Sequence, residues 1–239
     1  MKRLLAISMG LALLMAATAA AGEATAISVA TNGGRASATA TARGNSDSLA
    51  VAGATNGGRA VATSDAFGSR NGYASSRSVA TADRGQALSS SLADARGRWG
   101  GRAIAESESI AATTGGLAIS NSRATADGTW LGHARSRSVS TALSQYGVSV
   151  SDSYATSRGI YGGYASSDSD ALADSYGGFS SSRSDVLSDA GYHATATANG
   201  VSMSRSDWYR SSRSKVQSVS RAARLGHSES SAIMIRVRP

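Results

Sequence analysis

The sequence predicts an all-β fold, a tandem-repeat β-solenoid of about 15 residues per strand-turn unit and about 30 per coil, with an interior of alanine and serine. Three observations predict it: glycines at near-constant spacing, a strict period of two between them, and charges that alternate in sign only when every second unit is stacked. An antiparallel β-meander of the same strands is the alternative.

The spacing comes first. Gly44, Gly58, Gly72, Gly85, Gly101, Gly116, Gly132, Gly147, Gly163, Gly178 and Gly191 follow one another at intervals of about 15 residues, the signature of a repeat architecture. Counted from each of the first ten, Gly44 to Gly178, the third, fifth and seventh positions are Ala or Ser throughout; Ala103, Ala105 and Ser107 after Gly101 are one set. The ninth position follows, with Val186 as its exception. Period two means strand, because successive strand side chains point to opposite faces. The even positions carry Arg77, Glu106, Arg137 and Asp168, which belong in water, so the Ala/Ser row faces inward. Small inward residues let two sheets approach more closely than the usual ~10 Å. Buried serine hydroxyls then need partners, and stacked serines and backbone carbonyls supply them. Gly200 and Gly226 read as the openings of later, less regular units, and the stretch after Gly191 slips by one residue.

Stacking follows from length and charge. A strand of nine to eleven residues spans roughly 30–37 Å at ~3.3 Å per residue, too long for a coil of a single unit to close around. Two units per coil place each unit over the next but one. Position six then reads Arg77, Glu106, Arg137, Asp168 in one series and Thr63, Ser90, Asn121, Asp152, Arg183 in the other. Position four gives the apolar column Val61, Leu88, Ile119, Val150. Like charges opposite one another are unfavourable, and stacking adjacent units would set Asp152 on Asp168. The pair Arg35 and Arg59 runs against the scheme.

The chain divides into residues 1–21, 22–190 and 191–239. Met1-Lys2-Arg3, an apolar run from Leu4 to Met15 and small residues to Ala21 have the form of a secretory signal peptide cleaved after Ala21, which predicts a secreted or cell-surface protein of bacterial type. Residues 22–190 are the regular array, and 191–239 the irregular, basic C-terminal repeats and cap. Cysteine is absent and the single proline is Pro239, so neither disulfides nor thiolate metal sites enter. No later segment is apolar enough to cross a membrane as a helix.

No reactive constellation emerges, and the expectation is a protein that is not an enzyme and uses no cofactor. His133, His193 and His227 are isolated, and no serine sits in a G-x-S-x-G elbow. Asn32-Gly33-Gly34 and Asn56-Gly57-Gly58 lack the Lys-Ser/Thr of a phosphate loop and read as turns. Asp168, Asp170 and Asp174 lack the nonapeptide pattern of calcium-binding rolls. Two surface features remain. Trp99, Trp130, Tyr146, Tyr161 and Tyr176 precede the glycine turns, as an aromatic edge that binds glycans or as rings that seal the ends of a core. The net charge of the chain without residues 1–21 resides in residues 205–239, where Arg205, Arg210, Arg213, Lys215, Arg221, Arg224, Arg236 and Arg238 face only Asp207 and Glu229. Such an end either contacts an anionic polysaccharide or another cell-surface component or serves as a charged cap. The last segment, Ile233-Met234-Ile235-Arg236-Val237-Arg238, reads as one more hydrophobic strand.

A cysteine-free, Gly-rich, exported array of strand-turn-strand units over residues 22–190 resembles the curli-type amyloid fibre subunits of bacterial surfaces. That likeness implies self-association, with roles in adhesion, biofilm and extracellular matrix. Curlin repeats carry internal Gln and Asn where this chain has Ala and Ser. Ser48-Leu49-Ala50-Val51-Ala52-Gly53 resembles the head repeats of trimeric autotransporter adhesins. Ser37-Ala38-Thr39-Ala40-Thr41 and Thr195-Ala196-Thr197 hint at the Thr rows of ice-binding solenoids. The second functional reading is accordingly a monomeric binding module for ice or glycan.

Overall fold

The computed structural model describes residues 4–9, 12–19, 22–68, 72–97, 102–128, 133–159, 164–176, 178–190, 195–207, 212–222 and 227–237. They form a parallel β-solenoid of two facing sheets. One sheet has nine strands, in the order β1 (Leu4–Met9), β3 (Gly22–Ala30), β5 (Ser46–Ala54), β7 (Tyr73–Ala82), β9 (Arg102–Thr113), β11 (His133–Gln145), β13 (Tyr164–Tyr176), β15 (Thr195–Asp207) and β17 (His227–Val237). The other has eight: β2 (Ala12–Ala19), β4 (Arg35–Arg43), β6 (Arg59–Gly68), β8 (Gln86–Gly97), β10 (Leu117–Gly128), β12 (Val148–Gly159), β14 (Phe179–Ala190) and β16 (Ser212–Ala222). Every pairing is parallel and joins a strand to the next but one, which excludes the meander. Thr63, Ser90, Asn121, Asp152 and Arg183 form one ladder, and Val61, Leu88, Ile119 and Val150 another, as the sequence predicts. Arg35 does lie beside Arg59.

The coil widens along the chain. Gly22 pairs with Ser46, and Ser46 with Ala74, a longer step in sequence than the first. The step is longer again from Arg102 to His133, and it then stays constant through Tyr164 to Thr195. The widening corrects one predicted contact. Arg77 stands opposite Glu108, with its Nε 3.1 Å from the carboxylate, and not opposite Glu106. The residues that lengthen β9 enter at its start, so a count from the glycines runs out of register there. Opposite signs still meet: Glu106 pairs with Arg137, and Arg137 with Asp168.

The interior is the Ala/Ser row. Ala60, Ala74, Ala87, Ala103, Ala118 and Ala134 are fully buried, as are Ser78, Ser109, Ser120 and Ser136. Serines zip the two sheets together by donating to the carbonyl of the facing strand. Ser64 donates to Ser48 O (2.8 Å), Ser91 to Ser76 O (2.6 Å), Ser107 to Ser91 O (2.8 Å) and Ser122 to Ser107 O (2.7 Å). Direct contact between a hydroxyl and the opposing backbone sets the sheets far closer than the ~10 Å of ordinary stacked sheets. Carbonyl oxygens that already serve the ladder have a second lone pair for these bonds.

Val186 and Val216 depart from the row, and a glycine compensates for them. Val186 on β14 and Val216 on β16 flank Gly200, where an added Cβ would lie 3.1 Å and 3.0 Å from their methyl groups. Gly200 is therefore buried mid-strand in β15 and does not open a unit. The constant step holds into β15, with Ala196, Ala198, Ser202 and Ser204 all inward, and it lengthens by one residue into β16 and β17.

The zipper is incomplete. The Oγ atoms of Ser149, Ser169, Ser180 and Ser204 are buried without a partner among the described residues. An unsatisfied buried hydroxyl carries its desolvation cost, whereas a bonded one contributes on the order of 1 kcal/mol. Ser180→Ala is expected to hold or raise stability, and Ser122→Ala to lower it by about 1 kcal/mol; urea titration of the two variants checks the opposite signs.

Candidate functional site

The solenoid has two outer faces joined by turns at its rims. The rim that leads from the nine-stranded to the eight-stranded sheet carries the ladder Gly34, Gly58, Gly85, Gly116 and Gly147. Each carbonyl accepts from the first residue of a strand one coil on: Arg59 N–H to Gly34 O (3.1 Å), Leu117 to Gly85 (3.1 Å), Val148 to Gly116 (2.8 Å) and Phe179 to Gly147 (3.1 Å). The turns leading into it need the left-handed region. Asn32 and Asn56 adopt φ of 55° with Gly33 and Gly57 at 77° and 84°, so both Asn-Gly-Gly segments are turns, and Asn56 Nδ2 donates to Asn32 Oδ1 (3.2 Å). Arg84 (φ 52°) and Tyr146 (φ 59°) hold similar angles farther along. For a bulky residue that conformation costs about 1–2 kcal/mol relative to a right-handed one.

Tyr146 and Tyr176 are the two members of the predicted aromatic edge that the structure brings together. Their rings meet edge to face at 5.5 Å, and Tyr146 N–H donates to Tyr176 O (2.6 Å). They remain 67% and 50% exposed. Trp99, Trp130 and Tyr161 lie outside the described residues. Beside the tyrosines runs a groove of about 480 Å³, lined by Thr81, Thr114, Leu143, Gln145, Asp174 and Tyr176 among others. Of its lining, sequence reasoning singled out Tyr176 as part of an aromatic edge and Asp174 only as a calcium candidate it set aside. The signal was the recurrence of one strand-end position, coil after coil, at Thr81, Ala112, Leu143 and Asp174.

The outer face of the eight-stranded sheet is a lattice of charge. Arg96, Asp127, Arg158, Asp189 and Arg221 alternate up one column, with Arg158 Nε 3.9 Å from Asp189. The Arg123 guanidinium lies 5.1 Å over the Tyr154 ring, and Arg183 Nε donates to Asp185 (2.7 Å). Burial pushes the carboxyls of Asp65 and Asp152 above the usual range, and does the same to Asp47 and Asp170 on the other sheet. A carboxyl with a raised folded-state pKa favours the fold when protonated, and that stability is lost as the pH rises through the raised value. Asp65→Asn is therefore expected to raise the melting temperature at pH 7, with the difference from wild type vanishing below the ordinary value of 3.8. Melting curves from pH 3 to 8 check it.

Four side chains of the predicted basic end are among the described residues. Arg213, Lys215 and Arg221 are exposed on β16, while Arg205 faces outward from β15 on the other sheet. Strand alternation and the coil sort them to opposite sides. Arg210, Arg224 and Arg238 lie outside the described residues, as does the side chain of Arg236. His133 packs beside Tyr164 with ring centroids 6.2 Å apart, and His193 lies outside the described residues. Asp168 accepts from Asn199 Nδ2 (3.1 Å). Among the described residues no three His, Asp or Glu side chains are grouped to hold a metal ion, and no helix is long and apolar enough to cross a membrane. Comparisons with protein-family models, curated proteins and solved structures find no match.

Proposed function

We propose that the chain is exported and that residues 22–239 form a structural subunit which stacks end to end into fibres at the cell surface or in an extracellular matrix, in the service of adhesion or biofilm. The observation that carries this reading is the terminal strand β17. Ile233, Met234 and Ile235 are 53%, 55% and 41% exposed there, on the last strand of the nine-stranded sheet. An edge strand with apolar side chains is a template for pairing with another chain.

Addition of a second copy through its β3 continues features already in the stack. One outward column of the nine-stranded sheet reads Ile27, Val51, Val79, Ile110, Thr141, Leu172, Met203, Ile235, and the junction sets Ile235 against Ile27 of the next copy. Such a junction leaves one level of the eight-stranded sheet vacant. Met234, opposite Ser202 and so at an inward position, stands at that level, which has room for more than Ala or Ser.

Recovery of secreted protein beginning at Gly22 supports export; retention of Met1 in the cell overturns it. Negative-stain microscopy of residues 22–239 is expected to show filaments, with Ile235→Lys remaining monomeric. Monomers at every concentration, without filaments or a cross-β reflection at about 4.7–4.8 Å, would refute assembly.

A further inference from the structure

We propose that the rim groove beside Tyr146 and Tyr176 binds a linear, uncharged polysaccharide lying along the solenoid axis. Four features of the groove carry this. First, Tyr176 lines the groove with Tyr146 packed against it edge to face, and both rings are exposed in a chain with few aromatics. An exposed phenol offers an apolar face to the C–H face of a sugar ring and a hydroxyl to its oxygens. Second, the lining supplies planar and hydroxyl hydrogen-bonding groups: Thr81, Gln145 and Asp174. A concave surface of mixed apolar and polar groups is the usual form of a small-molecule subsite.

Third, the lining is repetitive. Thr81, Ala112, Leu143 and Asp174 occupy the same strand-end position in successive coils, so their backbones recur every ~4.8 Å. A repeating surface of this kind favours a repeating ligand over a single compact one. Fourth, Tyr146 holds a left-handed backbone, with φ of 59°, where the equivalent early turns use Asn. Strain in a bulky residue is retained where the side chain has a role beyond the turn. Charge selects the ligand class. Among the described residues Asp174 is the one charged side chain of the lining, which disfavours polyanions and separates this groove from the basic C-terminal strands. The inference stands whether or not the chain forms fibres.

The test is isothermal titration of folded residues 22–239 with cellohexaose, chitohexaose, mannohexaose and oligogalacturonate, beside the variants Tyr146→Asn and Tyr176→Ala. Binding to at least one neutral oligosaccharide is expected, insensitive to salt, with each variant raising the Kd at least about tenfold, the loss typical of a central aromatic contact. Tyr146→Asn relieves the strained turn, so its melting temperature is expected to stay level or rise. A tyrosine that serves only the turn gives the opposite result, a lower melting temperature with unchanged binding. That outcome overturns the proposal, as does failure of every neutral probe, or salt-sensitive preference for oligogalacturonate.

Discussion

Ala105→Leu is expected to abolish the fold or to destabilise it by about 3 kcal/mol or more, at the upper end of overpacking costs. Ala105 is fully buried on β9, and the sheet it faces is close enough for serine hydroxyls to reach backbone oxygen at 2.6–2.8 Å. Three added heavy atoms have nowhere to go. Rotamer change offers no relief, because the obstacle is the facing main chain. Relaxation requires the sheets to part, which breaks the neighbouring bonds of Ser107 to Ser91 and of Ser122 to Ser107. The control is Ala112→Leu on the same strand, where the side chain points outward beside Leu143; it is expected within about 0.5 kcal/mol of wild type. Circular dichroism followed through urea titration reads both. A tolerated Ala105→Leu would mean an ordinary two-layer core, in which serine and alanine merely happen to be frequent.

Gly147→Ala is expected to cost on the order of 2–4 kcal/mol, among the larger single-residue effects. An added Cβ would lie 2.0 Å from Gly116 O and 2.5 Å from Ser144 Oγ. Gly116 O accepts from Val148 N–H at 2.8 Å, so the methyl group displaces a rung of the rim ladder. The defect spreads, since the same carbonyl file continues through Gly85 and Gly58. Gly115→Ala, in the turn just before that rim, meets nothing within 4 Å and has no positive φ. It is expected to be neutral or slightly stabilising through the unfolded chain. Thermal melts of the pair separate close approach from a general need for flexible turns.

The strands and their inward faces were legible because the alternation of Ala/Ser with polar residues leaves one consistent inside. The two-strand coil was legible from charge, since Asn121, Asp152 and Arg183, and Glu106, Arg137 and Asp168, are ladders that only this stacking produces. Three features were hidden, each for a physical reason. The place of Arg77 opposite Glu108 depends on where a widening coil takes in extra residues, and glycine spacing marks turns without saying which strand end has grown. Gly200 looked like a turn because its purpose, room for Val186 and Val216, involves residues on two other strands. The groove beside Tyr146 is built from strand ends of four coils, each a full coil from the next in sequence. The basic residues were plain as a charge excess, yet only strand parity decides that Arg205 and Arg213 face opposite ways.

In the solenoid each strand lies on the next but one, and engineered disulfides test that most directly. The chain has no cysteine of its own. Arg137 and Asp168 are lateral partners on β11 and β13, at the ~4.8 Å spacing of neighbouring strands, within the Cα separation a disulfide accepts. Arg137→Cys/Asp168→Cys is predicted to oxidise quantitatively within the monomer. Tyr154→Cys/Asp168→Cys, which an antiparallel hairpin turning at Tyr161 would bring face to face, is predicted to stay reduced, because β12 and β13 lie in different sheets. The reverse pattern, a bond between positions 154 and 168 and none between 137 and 168, would contradict the solenoid.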